Sequence, residues 1–222
     1  MSSSGKRRVV SKHRTLKVTV VGDSQVGKTC LLLTYVTKKY PACVPASFEW
    51  HLAGTGFNQS TYPNIQVDGQ RYDLDFTDTL GLDSSLSLRL LEYMTTDVFV
   101  VCFDISCPES FENVREKWMP EIRSAQPEIP IIVVGTKLDL RNNSVVKSGL
   151  AEIGKKPVLH EEGQRLAREL KVVDYVECSS LNNDGVRSVF LTAAHAACMT
   201  KKSRVGGGQN EPEKDCCRCV IL

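Results

Sequence analysis

The sequence predicts an α/β fold built on a doubly wound, mostly parallel β-sheet. Two short runs, Val98–Phe103 and Ile131–Gly135, are almost entirely apolar, as expected for parallel strands that are covered on both faces. Segments with helical character separate the apolar runs, and this alternation favours parallel strands joined by helical crossovers. In addition, a glycine-rich loop lies between an apolar run and a helical segment near the N-terminus, where doubly wound folds often carry one.

The remaining strands differ in the strength of their signal. The first strand is predicted at Leu16–Val21, and Cys30–Tyr35 forms the first turns of the following helix. Apolar and acidic residues alternate in Tyr72–Phe76, which is typical of an edge strand or of a strand with one half-exposed face. Asp174–Cys178 is a weaker strand candidate. Three further helices are predicted at Glu109–Ala125, after Pro108, at Glu161–Leu170 and at Gly185–Met199.

Length and charge favour one domain without a nucleic-acid partner. The chain has 222 residues and a formal net charge of +2, so it lacks the basic field that drives binding to nucleic acid. We expect a disordered basic extension at residues 1–15, a globular domain at 16–199 and a flexible tail at 200–222, because both ends lack hydrophobic periodicity.

The cysteines do not suggest a disulfide framework or a zinc site. There are nine, and their spacing matches neither pattern. Cys30, Cys102 and Cys178 have apolar neighbours and are predicted to be small buried side chains, which suits a reducing compartment. We expect neither a secretory leader nor a membrane span, because no apolar run has the required length.

The loop at Gly22–Thr29 has the pattern G-x-x-x-x-G-K-T, which predicts a phosphate-binding loop. Gly22 and Gly27 allow the backbone N–H groups to point at an anion, and the helix N-terminus adds partial positive charge. Lys28 would reach the β- and γ-phosphates, and the Thr29 hydroxyl would ligate Mg²⁺. The remaining nucleotide contacts predicted here are Asp23, Ser24, Gln25, Val26 and Cys30.

Two more motifs follow strands at the same end of the predicted sheet. In Asp78-Thr79-Leu80-Gly81, the carboxylate would hold Mg²⁺ and the Gly81 N–H would meet a γ-phosphate. In Thr136-Lys137-Leu138-Asp139, the Asp139 carboxylate matches the paired N–H donors of guanine, which adenine lacks. The Lys137 stem would cover the purine face, and Ser179 and Ser180 would close over the base with a backbone N–H toward O6.

Together these motifs resemble the small GTPases of the Ras superfamily, and further segments resemble the Rho branch. The Rho-like segments are Thr96–Val98, Ser110–Trp118, Gly135–Arg141 and the insert-like segment Asn142–Val158. The resemblance implies a P-loop GTPase fold with a six-stranded, mostly parallel sheet, about five helices and an insert helix. It also implies a monomeric GDP/GTP switch with effectors, exchange factors and a dissociation inhibitor (GDI) as partners. Tyr40 matches the aromatic that packs against the guanine edge.

The positions that support hydrolysis depart from the family pattern. Ser24 stands where the family usually has glycine, and its side chain would crowd the attacking water and an arginine finger. Leu82 stands where the family has the glutamine that orients this water, and leucine has no group to do so. Leu80 replaces a small alanine. With Lys28 and Gly81 retained as the other catalytic residues, the changes predict slow or GAP-insensitive hydrolysis and a mostly GTP-bound protein.

The first switch region is also irregular. The effector segment reads Val44-Pro45-Ala46-Ser47-Phe48-Glu49. Counting from Lys28 assigns Ser47 to the Mg²⁺-binding threonine position of the family, whereas anchoring on Phe48-Glu49 assigns Ala46, and the sequence leaves both open. About ten extra residues around 53–60, rich in glycine, predict an additional loop.

The chain ends in Cys219-Val220-Ile221-Leu222, a C-a-a-X motif whose leucine predicts geranylgeranylation. One lipid anchors only reversibly, so Cys216 and Cys217 are candidates for palmitoylation. These signals predict attachment to the cytoplasmic face of the plasma membrane or endomembranes, together with a cytosolic pool.

Three functional classes can be compared. The first is a Rho-like switch controlling actin, cell shape or polarity, with reduced GTPase activity. The second is a non-hydrolysing pseudo-GTPase scaffold whose switches no longer respond to nucleotide, which the altered first switch favours. The third, a P-loop kinase or other ATPase, disagrees with Asp139 and with the lack of a second catalytic motif.

Overall fold

The computed structural model describes residues 14–44, 63–81 and 86–205. The strands are β1 Arg14–Gly22, β2 Asn64–Val67, β3 Gln70–Asp78, β4 Val98–Asp104, β5 Ile131–Thr136 and β6 Asp174–Glu177. They form one sheet in the order β2-β3-β1-β4-β5-β6. Among these described strands, only β2 and β3 pair in the antiparallel sense. The predicted six-stranded, mostly parallel α/β fold is therefore confirmed.

The continuous apolar runs lie where the sheet is covered on both faces. All seven residues of β4 and all six of β5 are buried, because helices pack above and below them. The strand predicted at Tyr72–Phe76 is not at the edge, since β3 lies between β2 and β1. Its alternation reflects one half-exposed face instead. β2 is four residues long, too short for its alternation to stand out from chance.

Six helical stretches surround the sheet in the described ranges. They are α1 Lys28–Thr37, α2 Leu86–Tyr93, α3 Pro108–Asn113 continuing through a π-helical segment Val114–Trp118 into α4 Met119–Ala125, α5 Ser144–Glu152, α6 His160–Glu169 and α7 Val186–Val205. The π-helical segment interrupts what the sequence predicts as one regular helix. π-helical turns of this kind frequently occur at functional sites.

The ends of regular structure differ slightly from the predicted domain limits. β1 begins at Arg14 and α7 continues to Val205, so ordered elements extend into the predicted extension and tail. α5 lies within the segment predicted as an insert, and the Asn143 side chain caps it by accepting from the backbone N–H groups of Val145 and Val146. None of the described helices has both the length and the apolar character needed to cross a bilayer.

The core consists of two apolar layers, one on each face of the sheet. Successive residues of a strand point to opposite faces. Accordingly, Val98, Val100 and Cys102 join the layer that contains α1 and α7. Phe99, Val101 and Phe103 join the layer with Trp118 and α6. This double cover fixes the carboxyl ends of the parallel strands at one edge, and the loops that follow them carry the predicted motifs.

Candidate functional site

A cleft of about 400 Å³ opens at the carboxyl ends of β1, β3 and β5. Residues from three separate predicted motifs line it together with Tyr40, among them Lys28, Thr29, Asp78, Gly81 and Lys137. Strands that are distant in sequence bring these residues together, as expected for a binding site at the edge of a doubly wound sheet.

The phosphate loop needs its glycines for steric reasons. Gly22 has φ +148°, and a Cβ there would lie 2.2 Å from the Cys102 carbonyl oxygen. Gly27 has φ +98° and immediately precedes α1. Gln25 also has a positive φ, 65°, which the sequence does not indicate. The turn therefore leads directly into the N-terminus of α1, where backbone N–H groups can bind an anion.

Lys28 is held inside the loop that contains it. Its Nζ donates to the carbonyl oxygens of Gly22 at 2.9 Å and of Asp23 at 2.7 Å. The side chain is 6% exposed, and this burial lowers the pKa of the ammonium group. The loop thus fixes a largely desolvated amine at the phosphate end of the cleft, where it can contact an anion strongly.

Thr29 and Asp78 form the oxygen pair predicted to bind Mg²⁺. The Thr29 hydroxyl donates to Asp78 Oδ2 at 2.6 Å, so α1 and β3 bring both side chains to one point. A hydroxyl and a carboxylate are suitable Mg²⁺ ligands, and the residues present therefore fit this ion. Ser47, the uncertain third ligand, lies outside the described residues.

Gly81 packs directly on the phosphate loop. A Cβ on Gly81 would lie 2.4 Å from the Ser24 backbone nitrogen and 2.7 Å from the Gly22 carbonyl oxygen. Only glycine fits at this distance, since a real Cβ would overlap the backbone. The D-x-x-G segment thus contacts the same loop that Ser24 belongs to, and Ser24 is an exposed residue that lines the cleft.

Hydrogen bonds connect the two loops predicted to bind the base. The buried Ser179 hydroxyl donates to Asp139 Oδ1, and the Leu138 N–H donates to the Cys178 carbonyl at 3.1 Å. Thr136 ties this region to the phosphate loop, because its hydroxyl lies 2.5 Å from the Val26 carbonyl oxygen. Ser180 follows in the same turn. The Asp139 carboxylate is therefore oriented by a side chain from the second loop.

Lys137 has a partner that the sequence reading missed. It adopts φ 54°, and its Nζ lies 2.8 Å from Asp104 Oδ2. Asp104 is the last residue of β4. An acidic residue at the carboxyl end of a buried apolar run was the sequence signal that could have indicated this partner. The ion pair orients the Lys137 stem beside the cleft, consistent with a stem that covers a planar ring.

Arg141 and Glu177 form a second pair that sequence reasoning missed. Arg141 follows the first base loop and Glu177 precedes the second. Arg141 Nη1 donates to Glu177 Oε2 at 2.7 Å, and Nη2 donates to the other oxygen. The Tyr175 hydroxyl also donates to Glu177. Burial opposes ionisation, but the hydrogen bonds from Arg141 and Tyr175 outweigh it and lower the pKa of Glu177.

The Asp23 carboxylate is bound by the helical stretch that follows β4. Its Oδ2 accepts from Asn113 Nδ2 at 2.7 Å, and its Oδ1 accepts from Trp118 Nε1 at 2.9 Å. Of the predicted nucleotide contacts, Asp23 therefore directs its side chain to protein partners. Asn113 and Trp118 belong to the Rho-like run Ser110–Trp118, which gave the only sequence signal for them.

The remaining predicted residues have mixed outcomes. Tyr40 lines the cleft beside Cys30, with 45% of its side chain exposed. Cys102 and Cys178 are fully buried as predicted, whereas Cys30 is only partly buried, because it lies at the start of α1 facing the cleft. Burial raises the pKa of the Cys102 thiol to about 12, so it remains a neutral core side chain.

Several predicted functional residues lie outside the described residues. These are Pro45, Ala46, Ser47, Phe48 and Glu49 of the effector segment, Leu82, and the lipidation candidates Cys216, Cys217 and Cys219. Val44, the first residue of the effector segment, is described and lines the cleft.

The mostly parallel sheet, the phosphate loop between β1 and α1, and the paired base loops define the P-loop GTPase fold. The chain belongs to the Ras family, whose model matches residues 17–199. In general terms it is therefore a GTP-binding switch protein, and GTPase activity is the activity that this family implies.

Proposed function

We propose that this chain is a Rho-type molecular switch that binds GTP and GDP with Mg²⁺, hydrolyses GTP slowly and remains mostly GTP-bound. Its partners would be effectors, exchange factors and a GDI. Its output would be control of the actin cytoskeleton, cell shape or polarity.

Support for the nucleotide comes from the cleft and from the base loops, which are joined to it through Lys137. The base would contact Asp139, Ser179 and Ser180, with Lys137 and Tyr40 along its faces and edge. The phosphates would contact Lys28 and the N–H groups from Asp23 to Cys30. Mg²⁺ would be held by Thr29 and Asp78 and would neutralise charge on the β- and γ-phosphate oxygens.

The proposal of slow hydrolysis depends chiefly on the position of Ser24. Its backbone lies against Gly81, and the residue lines the cleft. A hydroxymethyl group there would compete for the space of the attacking water and of an arginine finger. Leu82 adds to the effect, because it follows Gly81 and has no hydrogen-bonding group.

Support for the Rho branch comes from the segment between β5 and α6. α5 occupies the region of the predicted insert helix, and the Rho-like run at Ser110–Trp118 provides the side chains that bind Asp23. Membrane attachment through Cys219, with Cys216 or Cys217 as a second lipid site, completes the proposal.

A single-turnover assay of purified protein tests the hydrolysis proposal. GTP hydrolysis is followed with and without the catalytic domain of a Rho GAP, on the natural sequence and on the S24G/L82Q double variant. We expect less than about 10-fold GAP stimulation of the natural sequence, against about 10³-fold or more for the double variant. G149A serves as the control, because a Cβ at Gly149 meets nothing within 4 Å.

Strong GAP stimulation of the natural sequence would contradict the proposal. The alternative, a scaffold with unresponsive switches, is separated by comparing effector-domain binding in the GDP- and GTP-loaded forms. Equal binding would favour the scaffold, and preferential binding of the GTP form would favour the switch.

A further inference from the structure

A closed set of contacts links the phosphate loop, the D-x-x-G segment and the helices α2 to α4. We call it the Arg89 network, and its side chains are Asp23, Arg89, Tyr93, Trp118 and Glu121. None of these except Asp23 was assigned a role by the sequence motifs. The side-chain-to-side-chain hydrogen bonds of the network join residues that are 28 to 95 positions apart in sequence.

Arg89 is the centre of this network. It is 2% exposed although it carries a full charge, and a buried guanidinium requires partners for its N–H groups. Nε and Nη2 donate to the two oxygens of Glu121 at 2.9 and 2.7 Å. Nη1 donates at 3.0 Å to the Leu80 carbonyl oxygen. The third bond connects α2 to the residue directly before Gly81.

Glu121 is itself held by two elements. The Tyr93 hydroxyl donates to Glu121 Oε1 at 2.7 Å, so the end of α2 also contacts α4. A carboxylate with a bidentate guanidinium and a phenol has little freedom to reorient. The Arg89 guanidinium is therefore fixed relative to the sheet.

Trp118 extends the network to the phosphate loop. Its ring lies 5.2 Å from the Arg89 guanidinium carbon, within the range of a cation–π contact. Its Nε1 donates to Asp23 Oδ1, one residue before Ser24. The π-helical segment Val114–Trp118 ends at this tryptophan.

The contacts of the Arg89 network and of the phosphate loop meet at Leu80 and Gly81. Arg89 holds the Leu80 carbonyl, the next residue Gly81 packs on the Ser24 backbone, and Asp23 is bound through Trp118. A movement that carries Leu80 and Gly81 together away from the phosphate loop would strain or break the bond from Arg89 to the Leu80 carbonyl. The position of the D-x-x-G segment is therefore coupled to α2 and α4.

We propose that Arg89 is a positioning residue that keeps Gly81 against the phosphate loop and so favours binding of GTP over GDP. The inference rests on the proposed function, in which the Gly81 N–H meets the γ-phosphate. GDP lacks that phosphate, and its affinity depends little on where Gly81 lies. Because Glu121 orients Arg89, this ion pair influences the third phosphate without touching it.

The test measures affinities for GDP and for a non-hydrolysable GTP analogue by displacement of a fluorescent GDP in excess Mg²⁺. The variant R89K keeps the charge but lacks the planar guanidinium, whose separate nitrogens donate to Glu121 and to the Leu80 carbonyl. We expect its affinity for the GTP analogue to fall about 5- to 20-fold, a typical coupling between sites, and its affinity for GDP to change less than about 2-fold.

R115K is the matched control, because Arg115, in the π-helical segment, forms an exposed ion pair with Glu169 of α6 at 2.6 Å. It should alter neither affinity. Equal losses for both nucleotides in R89K, or no loss, would overturn the inference. If R89K does not fold, Y93F removes one bond to Glu121 and should shift the ratio of affinities about 2-fold in the same direction. Failure of the natural sequence to bind guanine nucleotides would instead refute the proposed function.

Discussion

The two ends of the proposed nucleotide site, the base loops and the γ-phosphate end of the cleft, are built differently. At the base end, the side chains of Thr136, Lys137 and Asp139 each have a protein partner, and the Arg141–Glu177 pair joins the two loops. At the γ-phosphate end, Gly81 is held by packing and by the bond from Arg89 to the preceding residue. If the nucleotide binds as proposed, base recognition is set by the fold, whereas recognition of the third phosphate depends on a few separable contacts.

The exposure of apolar residues also differs between the two ends. On α2, which follows the γ-phosphate end, Leu88, Leu91 and Met94 have 62%, 65% and 71% of their side chains exposed. Beside the base loops, Val158, Tyr175 and Cys178 are buried. Because GDP and GTP share the base and differ only in the third phosphate, changes at the base end should affect both nucleotides alike, and changes at the other end should distinguish them.

The largest effect is expected from D139A at the base end. Loss of two charge-assisted hydrogen bonds to guanine, each contributing about 1.5–3 kcal/mol, should reduce the affinities for GDP and GTP at least about 100-fold and equally. Displacement of fluorescent GDP measures this loss. D174A, which removes an exposed carboxylate at the start of β6, is the control, and unequal losses would contradict the comparison.

The next largest effect is expected from G81A at the γ-phosphate end. The added Cβ would overlap the Ser24 nitrogen, 2.4 Å away, so the segment must move off the phosphate loop. We expect affinity for a GTP analogue to fall about 10- to 50-fold, with little change for GDP. G149A should be neutral, and a similar loss for both nucleotides in G81A would show that the two ends are not separable.

A smaller effect concerns stability at the base end and its dependence on pH. The folded-state pKa of Glu177 lies below its ordinary value of 4.5, so the carboxylate stabilises the fold above that value, and this contribution is lost as the pH falls through the folded pKa. E177Q should lower the free energy of unfolding by about 2 kcal/mol at neutral pH. The difference should shrink in acid.

Urea denaturation at a series of pH values measures this dependence. E169Q is the control, since Glu169 is half exposed in its ion pair with Arg115 and such pairs contribute little. A pH-independent difference for E177Q would mean that the charge of Glu177 is not what stabilises the base loops.

The smallest effect is expected from W118F, which removes the bond from Nε1 to Asp23 while keeping an aromatic ring. Because Asp23 belongs to the phosphate loop, which both nucleotides would contact, we expect GDP and the GTP analogue to dissociate about 3- to 5-fold faster, as for the loss of one hydrogen bond. Stopped-flow fluorescence measures both rates. An effect on only one nucleotide would assign Trp118 to the γ-phosphate end.

Much of the fold and part of the site can be predicted from local sequence. The β4 and β5 runs are predictable because burial on both faces leaves a continuous apolar signature. The phosphate loop is predictable because its turn needs positive φ angles, +148° at Gly22 and +98° at Gly27, and glycine adopts such angles most readily. Such features depend on neighbours in the chain or on one strand.

The residues that could not be predicted act through tertiary contacts. Arg89 and Glu121 are separated by 32 positions, and nothing in the local sequence of either marks a buried ion pair. The same holds for Arg141 with Glu177. Likewise, the π-helical segment ending at Trp118 has no composition that separates it from an ordinary helix. These contacts become visible only once the sheet has brought the loops together.

The environment of Trp118 also gives the molecule an optical property. The indole is fully buried, hydrogen-bonded to the phosphate loop and close to two cations, Arg89 and Lys117. Its emission should respond when the charge or position of Asp23 changes. The chain has one other tryptophan, Trp50, so a W50F protein would report the state of its own phosphate loop through native fluorescence, without any attached dye.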